Sequence, residues 1–118
     1  MLTLTLAHYH PMTPLNIAQY ISDARETDQN LTVRTAPGIG TVTMLTEQLA
    51  KADLSAIHVR GAVLGPMDLI PLLNDIHNST VDVVLFDEFD SLSTSMKVEV
   101  LTHLPKDKLC IFHHYLVV

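Results

Sequence analysis

VVLFDE, at residues 83–88, is the stretch of sequence that decides the fold. Apart from Asp82, residues 81–86 are apolar, a pattern typical of a central parallel strand that is covered on both faces. Asp87 and Glu88 follow this strand, so we expect both carboxylates at the exposed rim of the sheet. Rim carboxylates can hold a hydrated Mg²⁺ or orient a water molecule, and they can equally cap the next helix.

A second strand, at residues 31–35, runs into the glycine turn Ala36-Pro37-Gly38-Ile39-Gly40. From Val42 to Ala52 apolar residues recur at helical spacing, so the turn opens a helix. Such a loop directs backbone N–H groups and the positive end of the helix dipole at one point, which favours a bound anion. A tight strand-to-helix connection uses the same glycines, so the turn alone leaves both interpretations open.

Strand and helix patterns alternate along the rest of the chain. Further strands are predicted at residues 2–6, 56–59 and 109–112, and further helices at residues 14–25, 67–76 and 96–104. Pro71 must fall near the start of its helix or kink it. The alternation predicts an α/β fold, a three-layer αβα sandwich with a mostly parallel sheet, formed by residues 1–118 as a single domain. Ligands are expected at the carboxyl ends of the strands.

Composition narrows the class of protein. The chain has 118 residues, of which 47% are hydrophobic and 17% charged, enough apolar side chain for a real core. Thirteen acidic and seven basic residues give a formal charge of -6, which disfavours direct binding to nucleic acid. No apolar run is long enough to span a bilayer and the start lacks the basic residues of a secretory signal, so we expect a cytoplasmic protein. The one cysteine, Cys110, lies in an apolar run and is predicted to be a buried structural thiol.

Seven histidines raise the question of a metal site. His8 and His10 lie two apart on a predicted strand and share a face, whereas the adjacent His113 and His114 point to opposite faces. Only the first pair could chelate a metal, and no cysteine accompanies it. We interpret the histidines as ordinary surface or boundary residues. No sequence motif supplies a nucleophile for Ser-His-Asp catalysis.

Together, the glycine turn and residues 83–88 resemble the AAA-type P-loop ATPases, in particular the MoxR-like branch. Pro37-Gly38-Ile39-Gly40 is similar to the Walker A loop, residues 83–88 to the Walker B strand with Phe89-Asp90 after it, and Pro66-Met67-Asp68-Leu69 to a Pro-x-Asp-Leu segment of MoxR-like proteins. The likeness covers residues 14–105. It implies a P-loop sandwich that binds Mg-ATP, with Asp87 orienting the metal and Glu88 activating water, in subunits that form rings and remodel other proteins.

Three residues depart from that family's loop. Thr35 stands in place of its first glycine, Thr41 in place of its lysine, and Val42 in place of the Ser or Thr that binds magnesium. Losing the lysine and the hydroxyl removes about 3 to 6 kcal/mol of binding free energy, or about 10² to 10⁴-fold in affinity. The turn is therefore predicted to be a vestigial phosphate loop, formed by Pro37, Gly38, Ile39, Gly40, Thr41 and Val42.

The chain also departs from the family after its last predicted strand. His113 and His114 stand where the family places an asparagine or threonine sensor, and we expect no further core strand or helical lid after them. The predicted function is that of a catalytically inactive AAA-like module, a pseudo-ATPase that acts by protein contact. Its partner would be an AAA-type ring ATPase or another host protein, and an inhibitor encoded by a phage or mobile element fits this architecture.

Two other functions stay open at the level of sequence. The first is a weak ATPase that binds Mg-ATP through the backbone of residues 37–42 and hydrolyses it slowly with Asp87 and Glu88. The second is a structural subunit, also able to form homo-oligomers, whose apolar end Tyr115-Leu116-Val117-Val118 packs on a partner. The leading prediction requires no cofactor and no membrane.

Overall fold

The computed structural model describes residues 2–6, 14–36 and 40–115, with side chains from residue 17 onward within these ranges. Strands and helices alternate along the described chain. The strands are β1 (Leu2–Leu6), β2 (Leu31–Thr35), β3 (Ala56–Arg60), β4 (Val83–Asp87) and β5 (Leu109–Tyr115). The helices are α1 (Pro14–Glu26), α2 (Thr41–Lys51), α3 (Leu69–Asn78) and α4 (Thr94–Thr102). Short 3-10 turns occupy Gly61–Val63, Pro66–Asp68 and Phe89–Ser91.

The strands form one sheet in the order β1-β2-β5-β4-β3, and every pair is parallel. The predicted α/β class is confirmed, and the sheet is wholly rather than mostly parallel. If β2 and β4 were neighbours in the sheet, the carboxylates at the end of β4 would lie directly above the glycine turn that follows β2. The two strands are not neighbours, because β5 lies between them, and the residues at the end of β5 therefore become part of any site at this edge.

Helices cover both faces of the sheet. On one face α1 and α2 pack over alternate residues of the central strands, with Ile17 and Leu45 meeting Leu85 and Ile111. On the other face α3 and α4 pack over the remaining residues, with Leu73 and Val100 in the same cluster as Phe86 and Phe112. Since both faces are buried, β4 is apolar at consecutive positions, as the sequence indicated. The predicted three-layer αβα sandwich is confirmed.

Several element boundaries differ from the predicted ones by one to three residues, and two of these differences concern the carboxyl edge of the sheet. β5 continues to Tyr115, three residues beyond the predicted strand, so His113 and His114 belong to the sheet. β4 ends at Asp87, which therefore lies inside the strand. The third helix begins at Leu69 after a 3-10 turn, and Pro71 lies in its first turn, where the missing N–H costs no helical hydrogen bond. Within the described ranges, no helix is long and apolar enough to cross a membrane.

Gly61, directly after β3, packs against the backbone at the end of β4. A Cβ at this position would overlap the backbone carbonyl oxygen of Glu88. Gly61→Ala should therefore lower the free energy of unfolding by about 1 to 3 kcal/mol, the usual effect of forcing atoms into a filled space. Urea denaturation measures this change. Ala62→Ser, at the exposed neighbouring residue, is the control, and an equal effect of both substitutions would contradict the steric argument.

Candidate functional site at the carboxyl edge of the sheet

The candidate site lies where β2, β5 and β4 end side by side. Thr35, His113 and Asp87 sit near the carboxyl ends of these three strands. Each lies two residues beyond an apolar residue of the α1/α2 face, respectively Val33, Ile111 and Leu85. Because side chains alternate between the faces of a strand, all three polar side chains point to that face. They lie beneath the beginning of α2.

A continuous hydrogen-bond chain joins these side chains. The Thr41 hydroxyl donates to Thr35 Oγ1 at 2.8 Å, and Thr35 Oγ1 lies 2.8 Å from His113 Nε2. On the other side of the ring, His113 Nδ1 lies 2.6 Å from Asp87 Oδ1. The relative exposures are 4% for Thr41, 0% for Thr35, 0% for His113 and 6% for Asp87, so the chain runs through the protein interior. We refer to these four residues as the Thr–His–Asp chain.

The contact with Asp87 fixes which imidazole nitrogen carries a hydrogen. A carboxylate only accepts, so His113 Nδ1 carries the hydrogen that bonds Asp87. Thr35 Oγ1 accepts from Thr41, and it can either give its own hydrogen to His113 Nε2 or accept one from it with its second lone pair. No buried side-chain nitrogen or oxygen of the described residues lacks a partner.

Asp87 was predicted at an exposed rim, and this prediction was wrong. Its side chain is buried because β5 covers one flank and α2 closes the end of the sheet. Oδ1 accepts from the backbone N–H of Glu88 at 2.8 Å as well as from His113, and Oδ2 lies 3.5 Å from His58 Nε2. A metal ion on Oδ1 would have to displace these donors. The surrounding protein holds the carboxylate by hydrogen bonds.

Glu88 begins the turn after β4 in a left-handed backbone conformation, with φ 54°. Such a φ is uncommon for a residue with a side chain and tends to occur at functional or tightly determined turns. Its carboxylate accepts from Arg60 Nε at 3.0 Å, and the side chain is partly buried. Glu88 is thus paired across the ends of β3 and β4, directed toward Arg60.

His113 was predicted to be a surface or boundary residue, and it is fully buried instead. The sequence held a signal for this, because His113 continues the alternation of the buried Leu109 and Ile111. His114 points to the opposite face, as predicted, with its ring 5.5 Å from that of Phe89. Burial lowers the pKa of His114 below its ordinary value. His8 and His10 lie outside the described residues.

Only part of the predicted phosphate loop is described. Pro37, Gly38 and Ile39 fall outside the described residues, while Gly40 has φ 75° and directly precedes α2. Thr41 is the first residue of α2, and its hydroxyl is directed into the sheet toward Thr35. A cavity of about 180 Å³ adjoins this point. Its walls are formed by Ala36, Gly40, Thr41, Val42, Thr43, His113 and Tyr115.

The order hydroxyl, imidazole, carboxylate is also that of an acyl-transfer triad. Thr35 would be the nucleophile, since its Oγ1 is the atom in contact with His113 Nε2. Its exposure is 0%, and it does not line the cavity. A substrate carbonyl cannot reach an oxygen in this position, so the geometry argues against nucleophilic catalysis by Thr35.

Among the described residues, no three His, Cys, Asp or Glu side chains are grouped so that they could hold a metal ion. The larger cleft of about 490 Å³ lies at the opposite, amino edge of the sheet. It is lined by residues of both charges, including Arg25, Asp28 and Lys106. Lys108, also in its wall, donates from Nζ to the carbonyl oxygens of Ser79 and Val81, a structural role at the base of β4.

Comparison with protein-family models, with curated proteins and with solved structures gave no match. The likeness to AAA-type ATPases therefore depends on the motifs of this chain alone.

Proposed function

We propose that this chain is a catalytically inactive P-loop module of the AAA type, a pseudo-ATPase that acts by contact with another protein. One observation carries the proposal. The carboxylate that would serve magnesium, Asp87, is held by His113 and by the Glu88 backbone inside the protein. A hydrated Mg²⁺ requires oxygen ligands that are open to the site.

The start of α2 supports the same conclusion. In a working phosphate loop a lysine and a hydroxyl would face the phosphates, whereas this chain has Thr41 and Val42. Thr41 does not substitute for them, because its hydroxyl donates to Thr35. Glu88, the residue that would activate water, is paired with Arg60. All of the side chains that could act on a nucleotide are therefore either replaced or engaged with other groups.

Titration calorimetry with Mg-ATP tests the proposal. We expect no binding heat at nucleotide concentrations of about 1 mM, because the loss of the lysine and the hydroxyl weakens affinity by about 10² to 10⁴-fold. Magnesium-dependent binding at micromolar concentrations would refute the proposal. If slow phosphate release were found, Glu88→Gln would decide whether this chain causes it, since hydrolysis by the weak ATPase considered above needs that carboxylate.

A variant that restores the missing lysine and hydroxyl provides a second test, in which binding is expected to increase. Thr41→Lys with Val42→Ser returns the cation and the hydroxyl, and we expect it to bind ATP more tightly than the wild type. Thr46→Lys is the matched control, because it adds the same charge to an exposed position of α2. Equal gains in both variants would indicate general electrostatic attraction and would argue against a vestigial loop at this position.

Exposed apolar side chains support the proposal that this protein binds another protein. Met67 is 90% and Val63 71% exposed, both after β3, and Val98 on α4 is 56% exposed. Val63 and Met67 are four residues apart in the chain, and a group of exposed apolar side chains is typical of a surface that binds another protein. The proposed partners are an AAA-type ring ATPase or another host protein, which a phage or mobile element would inhibit through this chain, and the chain itself in a homo-oligomer.

Affinity capture from the native cell tests this contact. We expect a partner recovered by the wild type to be lost with Met67→Asp and retained with Asp68→Asn, a change at the adjacent exposed residue. Light scattering on the same variants separates a foreign partner from self-association. Recovery of the same proteins by both variants would exclude the Met67 surface as the contact.

A further inference from the structure

A cleft of about 310 Å³ lies between α1 and α2, and we refer to it as the α1/α2 cleft. Its volume is at the lower end of the range found for sites that bind small molecules. Small side chains keep the space open: Ala18 and Ser22 are one turn apart on α1, and Ala52 follows the end of α2. Ile21 and Leu54 add apolar surface to the walls.

Gln48, on α2, is the buried polar residue of this cleft. It is 7% exposed, although its side chain carries an acceptor oxygen and an NH₂ group that donates. The side-chain amide makes no hydrogen bond with any other residue that the structure describes. No fully buried nitrogen or oxygen of the described side chains lacks a partner, so this amide opens onto the cleft that Gln48 lines. Such a group requires a hydrogen-bonding partner from outside the protein, either water or a ligand.

The charges at the cleft indicate what kind of polar group suits Gln48. Arg25 and Glu26 both line the cleft and are both exposed, and their opposite charges favour neither an anion nor a cation. A carboxylate could accept from Gln48 Nε2, but it has no hydrogen to give to Oε1. An amide has both a donor and an acceptor, so it satisfies both atoms of Gln48.

We propose that the α1/α2 cleft binds a small, uncharged molecule that has an apolar body and one amide group. The ligand's carbonyl oxygen accepts from Gln48 Nε2, and its N–H donates to Gln48 Oε1. Its apolar body displaces water from the surface formed by Ile21, Leu54 and the small side chains, which favours binding. The site is independent of the proposed function, because it involves the second half of α2, whereas Thr41 begins that helix.

Hexanamide and hexanoate, which share the apolar body and differ in the polar group, test the proposal by ¹⁵N–¹H NMR of the full chain. We expect hexanamide to shift the side-chain NH₂ resonance of Gln48 with half-saturation on the order of 1 mM, as suits a ligand with so few atoms. Hexanoate should bind about tenfold more weakly, because it leaves one atom of Gln48 without a partner. No saturable shift with either compound would mean that the cleft holds water only and would overturn the proposal, as would equal affinities for the two.

Three variants, followed through the backbone resonances of α1 and α2, locate the ligand. Gln48→Leu removes the amide at similar volume, and it should weaken hexanamide binding about tenfold and abolish the preference over hexanoate. Ala18→Leu fills the cleft and should abolish binding of both compounds. Ala50→Leu is the matched control, since Ala50 is an exposed residue of α2 that does not line the cleft, and it should bind like the wild type. Undiminished binding by Ala18→Leu would place the ligand elsewhere and contradict the proposal.

Discussion

His113→Leu is expected to lower the free energy of unfolding by about 3 kcal/mol or more, since leaving a buried acceptor without its partner costs about 1 to 3 kcal/mol and more when the acceptor is charged. Leucine fills the volume of the imidazole but donates no hydrogen bond, so Asp87 loses the partner that lies 2.6 Å from Oδ1. Thr35 loses its partner at the same time. Denaturation by urea, with circular dichroism as the signal, measures the change.

The adjacent His114→Leu is the control for this experiment. His114 lies on the same strand but faces Phe89, and it has no hydrogen bond to Asp87. We expect a small effect, because an apolar side chain suits that contact. The double variant Asp87→Leu/His113→Leu should be more stable than His113→Leu alone, since no buried charge remains unpaired. Equal destabilisation by His113→Leu and His114→Leu would show that the hydrogen bonds of the Thr–His–Asp chain make no specific contribution to stability.

Cys110 is expected to react with thiol reagents about 10³-fold more slowly in the folded protein than after unfolding. Burial raises the pKa of its thiol from the ordinary 9.0 to about 12, and the side chain is 0% exposed. Only the thiolate is the nucleophile, so raising the pKa of the thiol from 9.0 to about 12 lowers the thiolate fraction about a thousandfold. Iodoacetamide labelling at about pH 8, with and without urea, followed by mass spectrometry, measures both rates.

The reagent itself needs a control, because burial also excludes it sterically. An added exposed cysteine, Ala62→Cys, should label at the rate of a free thiol in the same folded protein. Rapid labelling of native Cys110 would mean that β5 opens often, and it would contradict the buried core position between α4 and the sheet. The sequence prediction of a buried structural thiol is confirmed by its position.

The fold was predictable because its evidence is local and repeated. Four apolar residues in series before Asp87 indicate a strand covered on both faces, and helical spacing after Gly40 indicates α2. The alternation of strands and helices then predicted the three layers. Strand order was not predictable in this way, because no local pattern shows that β5 lies between β2 and β4.

Sequence reasoning expected a site at the carboxyl edge of the sheet and named two of the four residues of the Thr–His–Asp chain. Asp87 and Thr41 were named in advance, whereas the contact between Thr35 and His113 spans 78 positions of the chain. Sequence reasoning treated Thr35 as a missing glycine and His113 as a boundary residue. Both belong to one hydrogen-bond chain, and their partnership depends on which strands lie side by side.

The sequence by itself determined the layers, the positions of the strand ends and the replacement of the lysine and hydroxyl by Thr41 and Val42. Only the tertiary structure decided what became of the remaining polar groups. Inserting β5 beside β4 buried Asp87, and a buried carboxylate needs donors, which His113 and the Glu88 backbone supply. Apolar periodicity can be recognised in the sequence itself, whereas the pairing of buried polar side chains depends on the order of the strands in the sheet.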